Sequence, residues 1–154
     1  FTLYYKLLNG DKFVTNIFPM KIIIVDDNEE FRSTLKFFIE QKLKHTVIAE
    51  ANSGEEFLTM DLRVVKDADV ILMDIIMKNI SGIEATMAMN WNHYGLKIIA
   101  VTMHVENVFL TQIIEAGFKG CVFKSDIFKE LETALNEVHA GRLYLNPDIK
   151  IKPN

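Results

Sequence analysis

Asp74 ends the apolar run Asp69-Val-Ile-Leu-Met-Asp74, which suits a buried β-strand. Polar residues and Gly82 follow, so the Asp74 carboxylate should stand at the carboxyl end of that strand. Open α/β sheets bind their ligands at this edge. A carboxylate placed there can act as a nucleophile toward phosphorus. The first hypothesis is therefore that Asp74 accepts a phosphoryl group.

Other apolar runs also end in chemically useful side chains. Asp26 and Asp27 follow the run Lys21-Ile-Ile-Ile-Val25, and Thr102 and Lys124 follow two later runs. The carboxyl ends of parallel strands share one edge of a sheet. We therefore expect three carboxylates, a hydroxyl and an ammonium group to meet in one crevice.

Such a crevice calls for a cation, because clustered carboxylates raise one another's pKa values unless positive charge intervenes. Mg²⁺ prefers oxygen ligands and is usually held by one or two carboxylates, waters and a phosphoryl oxygen. The sequence therefore predicts Mg²⁺ near Asp26, Asp27 and Asp74. Thr102 and Lys124 would contact the remaining phosphoryl oxygens.

Positioning these groups requires a parallel sheet. From Met20 onward, short apolar strands alternate with helix-length amphipathic stretches, the pattern of βα units. Right-handed crossovers then put helices on both faces of a five-stranded, doubly wound α/β sheet. The predicted strands are residues 21–25, 46–50, 70–73, 97–101 and 118–123.

The helices are predicted from apolar spacing and caps. The first should start near Asp27 or Asn28, and the Ser-x-x-Glu spacing at Ser53 predicts a second helix through about Val64. The fourth should stop near Gly117 and the fifth near Gly141. Apolar residues should share one face of the first helix (Phe31, Leu35, Phe38, Ile39 and Leu43) and one face of the third (Ile83, Met87 and Trp91). The fourth helix carries Val105, Val108, Phe109 and Ile113, and in the last helix Phe128, Leu131, Leu135 and Val138 should point inward.

Composition limits the classes of function. The 154 residues are 49% hydrophobic with net charge −4, which fits one domain and gives no basic field for nucleic-acid binding. The single Cys121 excludes an intrachain disulfide. No apolar run approaches the ~20 residues that span a bilayer. We expect a soluble, cytoplasmic protein with no membrane partner.

The chain divides into three predicted parts. Residues 1–19 are interpreted as a non-native or upstream-translated arm before Met20, although Asn9-Gly10 between apolar runs predicts a hairpin there. Residues 20–140 form the α/β domain. Residues 141–154 are a tail, or the start of a linker to an output domain outside this segment.

As a set, the motifs resemble the receiver domain of two-component response regulators, which has the CheY-like, flavodoxin-like fold. They are Ile-Ile-Ile-Val-Asp26-Asp27, Ile-Leu-Met-Asp74 with Gly82 eight residues on, Ala-Val-Thr102 and Val-Phe-Lys124. The ending Glu-Val-His-Ala-Gly-Arg-Leu-Tyr-Leu-Asn-Pro147 is most similar to receivers of the LuxR/NarL type.

The resemblance implies that Asp74 takes its phosphoryl group from a sensor histidine kinase. Asp27, Asp74 and the backbone carbonyl of Ile76 would bind Mg²⁺, with Asp26 acting partly through water. A homodimer could form through the fourth helix, fifth strand and fifth helix, and DNA would be reached only through a helix-turn-helix domain absent from this chain. The protein would catalyse only its own phosphorylation and dephosphorylation.

Three positions depart from the family pattern. Lys78 stands four residues after the acceptor, where Pro is common, which questions the rigidity of that loop. Met103 replaces the usual small residue after Thr102 and could screen the phosphoryl group from water. Cys121 replaces a frequent aromatic residue and is interpreted as a buried core thiol.

Several alternatives stay open. The domain could act alone by protein contact, or bind partners without phosphorylation. A haloacid dehalogenase-like phosphatase uses similar residues, but its Asp-x-Asp motif differs from the adjacent Asp26-Asp27. A flavodoxin-like cofactor site is disfavoured by the acidic first loop.

The dispersed histidines show no metal-ligand spacing, and His104 could reach the pocket rim. Lys124→Ala is expected to leave folding largely intact.

Overall fold

The computed structural model describes Tyr4–Tyr5, Val14–Thr15 and residues 18–93, 95–103 and 107–149. The strands are β1 (Tyr4–Tyr5), β2 (Val14–Thr15), β3 (Lys21–Val25), β4 (Thr46–Ala51), β5 (Val70–Asp74), β6 (Ile98–Thr102), β7 (Gly120–Phe123) and β8 (Tyr144–Leu145). The helices are α1 (Glu29–Gln41), α2 (Gly54–Leu58), α3 (Leu62–Asp67), α4 (Gly82–Asn92), α5 (Asn107–Glu115) and α6 (Ile127–His139), and a 3-10 turn at Lys124–Asp126 precedes α6.

A parallel sheet in the order β4-β3-β5-β6-β7-β8 forms the middle layer. Successive side chains of a strand point to opposite faces, so Ile23 packs in one core and Ile24 in the other. The Ile24 core contains residues of α1 and α6, and the Ile23 core contains residues of α2 to α5. The predicted doubly wound α/β fold is confirmed.

The sheet has one strand more than predicted. Tyr144 and Leu145 form β8, which pairs with β7 in parallel at Gly120 and Cys121. The backbone N–H of Tyr144 donates to the carbonyl of Lys119 at 3.1 Å. A two-residue strand before Asn-Pro is too short to show the period-2 alternation of a strand, so it could not be predicted from the sequence. Residues 144–145, which were predicted to lie in a tail or linker, therefore pair with the sheet, and the predicted domain boundary at residue 140 stays a prediction.

The predicted second helix is two helices, α2 and α3. The Ser53 side chain caps α2 by accepting from the Glu56 N–H, as the Ser-x-x-Glu spacing indicated. Asp61 then caps α3 by accepting from the Arg63 N–H at 2.9 Å. A side chain that satisfies a free helical N–H favours a new helix start, and so ends the continuous helix predicted through Val64.

Two predicted helix faces differ from those observed. In α4, Trp91 is 85% exposed and Met87 is 56% exposed, whereas Ala85 and Met89 are buried. The apolar residues of α4 are distributed around all sides of the helix, so their spacing did not identify one face as the buried one. Phe128 of α6 is also half exposed, with its ring edge-on to Phe38 at 4.9 Å. The other α6 positions predicted to face inward, Leu131, Leu135 and Val138, are buried.

The remaining expectations concern α1, the turns and the chain ends. Leu35 and Ile39 of α1 are fully buried, as predicted. β1 and β2 pair antiparallel, as a hairpin requires, but Asn9-Gly10 lies outside the described residues. Val105, His104 and the side chains of Val108 and Phe109 also lie outside them. Within the described residues, no helix combines the length and apolar character needed to cross a membrane.

Candidate functional site

Asp74 is the last residue of β5, and its side chain is almost fully buried. The loop of residues 75–81 follows, and the Gly82 N–H at its end donates back to the Ile75 carbonyl at 3.0 Å. A Cβ at Gly82 would lie only 2.0 Å from the Asp74 carbonyl oxygen, so this approach requires glycine. The loop directs the chain into α4 and leaves the Asp74 carboxylate at the edge of the sheet.

Asp26 and Asp27 follow the neighbouring strand β3. Asp26 is buried and Asp27 is exposed. One carboxylate oxygen from each of Asp26, Asp27 and Asp74 lies within 4.8 Å of the others. The predicted convergence of the acidic groups is therefore present in the structure.

Lys124 follows β7 and reaches across the sheet edge to two acids. Its Nζ lies 2.7 Å from Asp26 Oδ2 and 3.3 Å from Asp74 Oδ2, and 4.5 Å from the centre of the Phe31 ring. The Lys124 side chain is only 13% exposed. The ion pairs therefore lie in a partly desolvated environment, where charges interact more strongly than in water.

Thr102 and Ile76 complete the predicted set. Thr102 is buried at the end of β6, beside Phe123 in β7, and Asp74 pairs with the preceding Val101. The Ile76 N–H donates to Asp74 Oδ1 at 3.2 Å, while the Ile76 side chain is 70% exposed. The structure thus brings all the predicted site residues to one edge of the sheet.

The pKa of Asp74 is raised from an ordinary 3.8 to about 6, chiefly by burial and then by the charge of Asp26. Lys124 and the Ile76 N–H act in the opposite direction. Burial alone would lower the pKa of Lys124, but its contacts with Asp26 and Asp74 outweigh burial and raise it. The site thus holds closely spaced carboxylates with one ammonium group between two of them.

This donor set fits Mg²⁺. The three acids offer hard oxygen ligands, and two of them are buried where uncompensated negative charge is costly. A divalent cation would compensate the negative charge of Asp26, which after burial is the second cause of the raised pKa of Asp74. Asp26, Asp27 and Asp74 are the side chains that would hold it.

A cavity of about 630 Å³ opens beside the acids. Its polar lining includes Asp27, Asp74 and Lys124. Its apolar lining residues are Phe31, Ile76, Met103 and Phe128. Sequence spacing assigned Phe31 and Phe128 to helix packing faces. Their proximity to strand ends, at Asp27 and Lys124, was the available sign that they could reach the site.

Lys78 has a backbone role that its side chain did not suggest. Its N–H donates to Asp27 Oδ2 at 3.3 Å, and the next residue, Asn79, has a φ of 60°. Proline has no N–H, so this contact to Asp27 would be lost if proline stood there. The loop after Asp74 is therefore connected to the acidic loop after β3 by a bond that depends on a residue other than proline.

Cys121 is fully buried in β7, as the sequence interpretation expected. Burial raises the pKa of its thiol to about 12. A thiol that remains protonated is a poor nucleophile and a poor metal ligand. Cys121 therefore belongs to the core.

The chain is similar to known regulators of one family. A family model for the response regulator receiver domain matches residues 22–136. Response regulator GacA of Pseudomonas syringae pv. syringae is 35% identical over 130 residues, which are 84% of this chain and 60% of that protein. Response regulator UvrY of Escherichia coli is 31% identical over 130 residues, 84% of this chain and 59% of that protein. The chain thus spans about three fifths of these relatives.

Solved structures agree with the sequence comparison. A LuxR-family two-component response regulator from Aurantimonas sp. SI85-9A1 has a TM-score of 0.77 and 32% identity, covering 85% of this chain and 92% of the other. The receiver domain of RcsB from Salmonella enterica, at 23% identity and a TM-score of 0.73, shares the fold over 84% of this chain and 94% of the other. The strand-end acids and lysine therefore stand in a chain that belongs to the response regulator receiver domain family.

Proposed function

We propose that Asp74 accepts a phosphoryl group from the phosphohistidine of a sensor histidine kinase. The observation that carries this proposal is the Asp74 carboxylate, buried at the sheet edge beside Lys124 and bordering the cavity. An Asp74 oxygen attacks phosphorus as the bond from phosphorus to the histidine nitrogen breaks. The product is an acyl phosphate on Asp74 and a free kinase imidazole.

The chain's own residues prepare this transfer. The Ile76 N–H orients the Asp74 carboxylate, and Lys124 supplies positive charge for a phosphoryl oxygen. Thr102, one residue beyond the β6 partner of Asp74, offers a hydroxyl to another phosphoryl oxygen. Mg²⁺ held by Asp26, Asp27, Asp74 and the Ile76 carbonyl would neutralise charge that develops on the phosphoryl group.

We propose that phosphorylation of Asp74 changes a protein surface and that the domain converts no separate substrate. Movement of Thr102 and Lys124 toward the phosphoryl group would alter the face formed by α5, β7 and α6, where a homodimer could form. β8 pairs with β7, the strand of that face, on the side away from β6. The site thus catalyses only its own phosphorylation and dephosphorylation.

The output we favour is transcription control in the cytoplasm through a helix-turn-helix domain outside this segment. The coverage of only three fifths of GacA and UvrY supports this over a receiver that acts alone. The intact reading frame separates the two. About 60 further residues with two helices joined by a tight turn are expected for a DNA-binding output.

Incubation with acetyl phosphate and Mg²⁺, followed by intact-mass measurement, tests the acceptor. Wild type should gain the mass of one phosphoryl group, and Asp74→Asn should gain none. EDTA should prevent the gain in wild type. A folded wild-type protein that gains no mass, or an Asp74→Asn variant that gains as much, would overturn the proposal.

A further inference from the structure

We propose that Arg32 is a positioning residue for the metal-binding acids. Its guanidinium group fixes the backbone of Asp26, and with it the carboxylates of Asp26 and Asp27. This inference rests on the proposed function, because it concerns the residues that would hold Mg²⁺. Arg32 itself contacts no carboxylate of that set in the described contacts, and acts through the loop that carries them.

Arg32 connects three elements of the fold. It lies in the first turns of α1, where its backbone N–H donates to the Asn28 carbonyl at 2.9 Å. Its Nη1 donates to the Asp26 carbonyl at 2.8 Å, and its Nε lies 3.3 Å from Glu50 Oε1 in β4. The side chain is only 15% exposed. These contacts are therefore shielded from water. They connect Asp26, the residue that follows β3, to α1 and to β4.

The Arg32 contact completes the anchoring of Asp26. The Asp26 N–H donates to the Ala51 carbonyl at 3.1 Å, which attaches the residue to β4 on its amide side. On its carbonyl side, Arg32 attaches Asp26 to Glu50, the adjacent residue of β4. Both ends of the residue are thus held to one strand. The Asp26 carboxylate is held as well, because its Oδ1 accepts from the Asn28 N–H at 2.8 Å.

The positive charge of Arg32 is compatible with the proposed Mg²⁺ site nearby, because Glu50 offsets part of it. Glu50 also accepts from Lys36 Nζ at 2.8 Å, so one carboxylate partly offsets both Arg32 and Lys36. Arg32 binds a carbonyl oxygen, which leaves the Asp26 carboxylate oxygens for Lys124 or a metal. A planar guanidinium can serve a carbonyl and a carboxylate at once in fixed geometry, which a lysine ammonium cannot reproduce.

Mg²⁺ affinity of the full chain, measured by titration calorimetry without a phosphodonor, tests this role. Arg32→Met should weaken Mg²⁺ binding about tenfold or more, the usual effect of losing a group that orients a metal ligand. Lys36→Met is the matched control, because it removes the other partner of Glu50 without touching Asp26. It should change the affinity less than about twofold, within the range of a surface ion pair. Arg32→Lys should give an intermediate loss.

Urea unfolding in EDTA gives the free energy of unfolding of each variant without metal. A loss of Mg²⁺ affinity can then be distinguished from a loss of folding stability. A Mg²⁺ affinity of folded Arg32→Met equal to that of wild type would overturn the proposal, as would equal losses in Arg32→Met and Lys36→Met. If Arg32→Met does not fold, Arg32→Lys decides by the same criterion. If wild type binds Mg²⁺ but gains no phosphoryl mass, the proposed function fails, while the effect of Arg32 on Mg²⁺ is still measurable.

Discussion

The ammonium group of Lys124 lies 2.7 Å from Asp26, closer than the 3.3 Å that separates it from Asp74. Lys124 thus neutralises a carboxylate that we do not assign as the acceptor. A phosphoryl group on Asp74 would compete with Asp26 for this ammonium group. Mg²⁺ at the three acids would make the exchange easier, because it would compensate Asp26 once Lys124 moved.

Lys124→Met should destabilise the metal-free protein on the order of 3 kcal/mol, because two buried carboxylates lose their cation. This replaces the expectation from sequence that Lys124→Ala would leave folding largely intact. Urea unfolding at pH 7 in EDTA measures the effect. Lys129→Met is the control, since the Lys129 side chain is 83% exposed. A Lys124 variant within ~0.5 kcal/mol of the control would contradict the prediction.

Asp74→Asn should make the metal-free protein more stable at pH 7 by on the order of 1–3 kcal/mol. The folded-state pKa of Asp74 is raised from 3.8 to about 6, so between these values the folded protein binds more protons than the unfolded chain. The stability of wild type therefore falls as pH rises from about 4 to 6. Asparagine does not titrate, so this part of the slope should vanish. Identical pH profiles of unfolding free energy would refute the explanation.

Gly82→Ala should cost ~3 kcal/mol, because the new Cβ meets a backbone oxygen that cannot move alone. It should also slow phosphorylation by acetyl phosphate as much as ~100-fold, since displacing Asp74 by about 1 Å spoils the attack geometry. Gly95→Ala is the matched control: its Cβ meets nothing within 4 Å, and only the φ of 90° opposes it. It should cost ~1 kcal/mol and leave the phosphorylation rate unchanged. Equal rates in both variants would count against a role for the close approach.

Lys78→Pro should weaken Mg²⁺ binding roughly two- to tenfold, the equivalent of one hydrogen bond of about 0.5–1.5 kcal/mol. Proline removes the N–H that Asp27 accepts, whereas Lys78→Ala keeps that N–H and removes only the side chain. Calorimetric titration with Mg²⁺ compares the two variants. If alanine weakens binding as much as proline does, the lysine side chain and not its N–H is responsible.

Cys121 should resist thiol reagents in the folded protein. Burial and a pKa raised to about 12 leave almost no thiolate at pH 8. Labelling with iodoacetamide, followed by mass measurement, should show no adduct in buffer and one adduct in urea. Rapid labelling of the native protein would show that β7 opens or that the thiol is accessible.

The site could be predicted from sequence because its geometry follows from the sheet. Asp26, Asp74, Thr102 and Lys124 each end or follow a buried run, and parallel strands bring those ends together whatever the loops do. The role of Arg32 could not be predicted in the same way. Its contacts depend on how far the long Arg32 side chain extends from α1 toward the end of β3 and toward β4. The spacing of residues along the helix does not indicate which backbone or side-chain atoms such a side chain reaches.

The misjudged parts of the fold have equally local causes. Trp91 shares a helix with apolar residues on every side, so spacing favoured no particular face for burial. β8 is two residues long and obtains its stability from pairing with β7, which its own sequence does not encode. The break at Asp61 depends on a cap that competes with helix continuation. In each case, packing or hydrogen bonding decided what periodicity left ambiguous.

β8 runs parallel to β7, so the chain leaves it at the same end of the sheet as Asp74. There the buried Asn146 donates from Nδ2 to Asp126 at 3.1 Å, and Asp126 lies two residues after Lys124. A displacement of Lys124 would thus reach the departing backbone through one short turn and one amide contact. Residues 146–149 start at the same end of the sheet as Asp74, with β6 and β7 between them, and Lys124 and Asp126 provide the contacts that connect the two places.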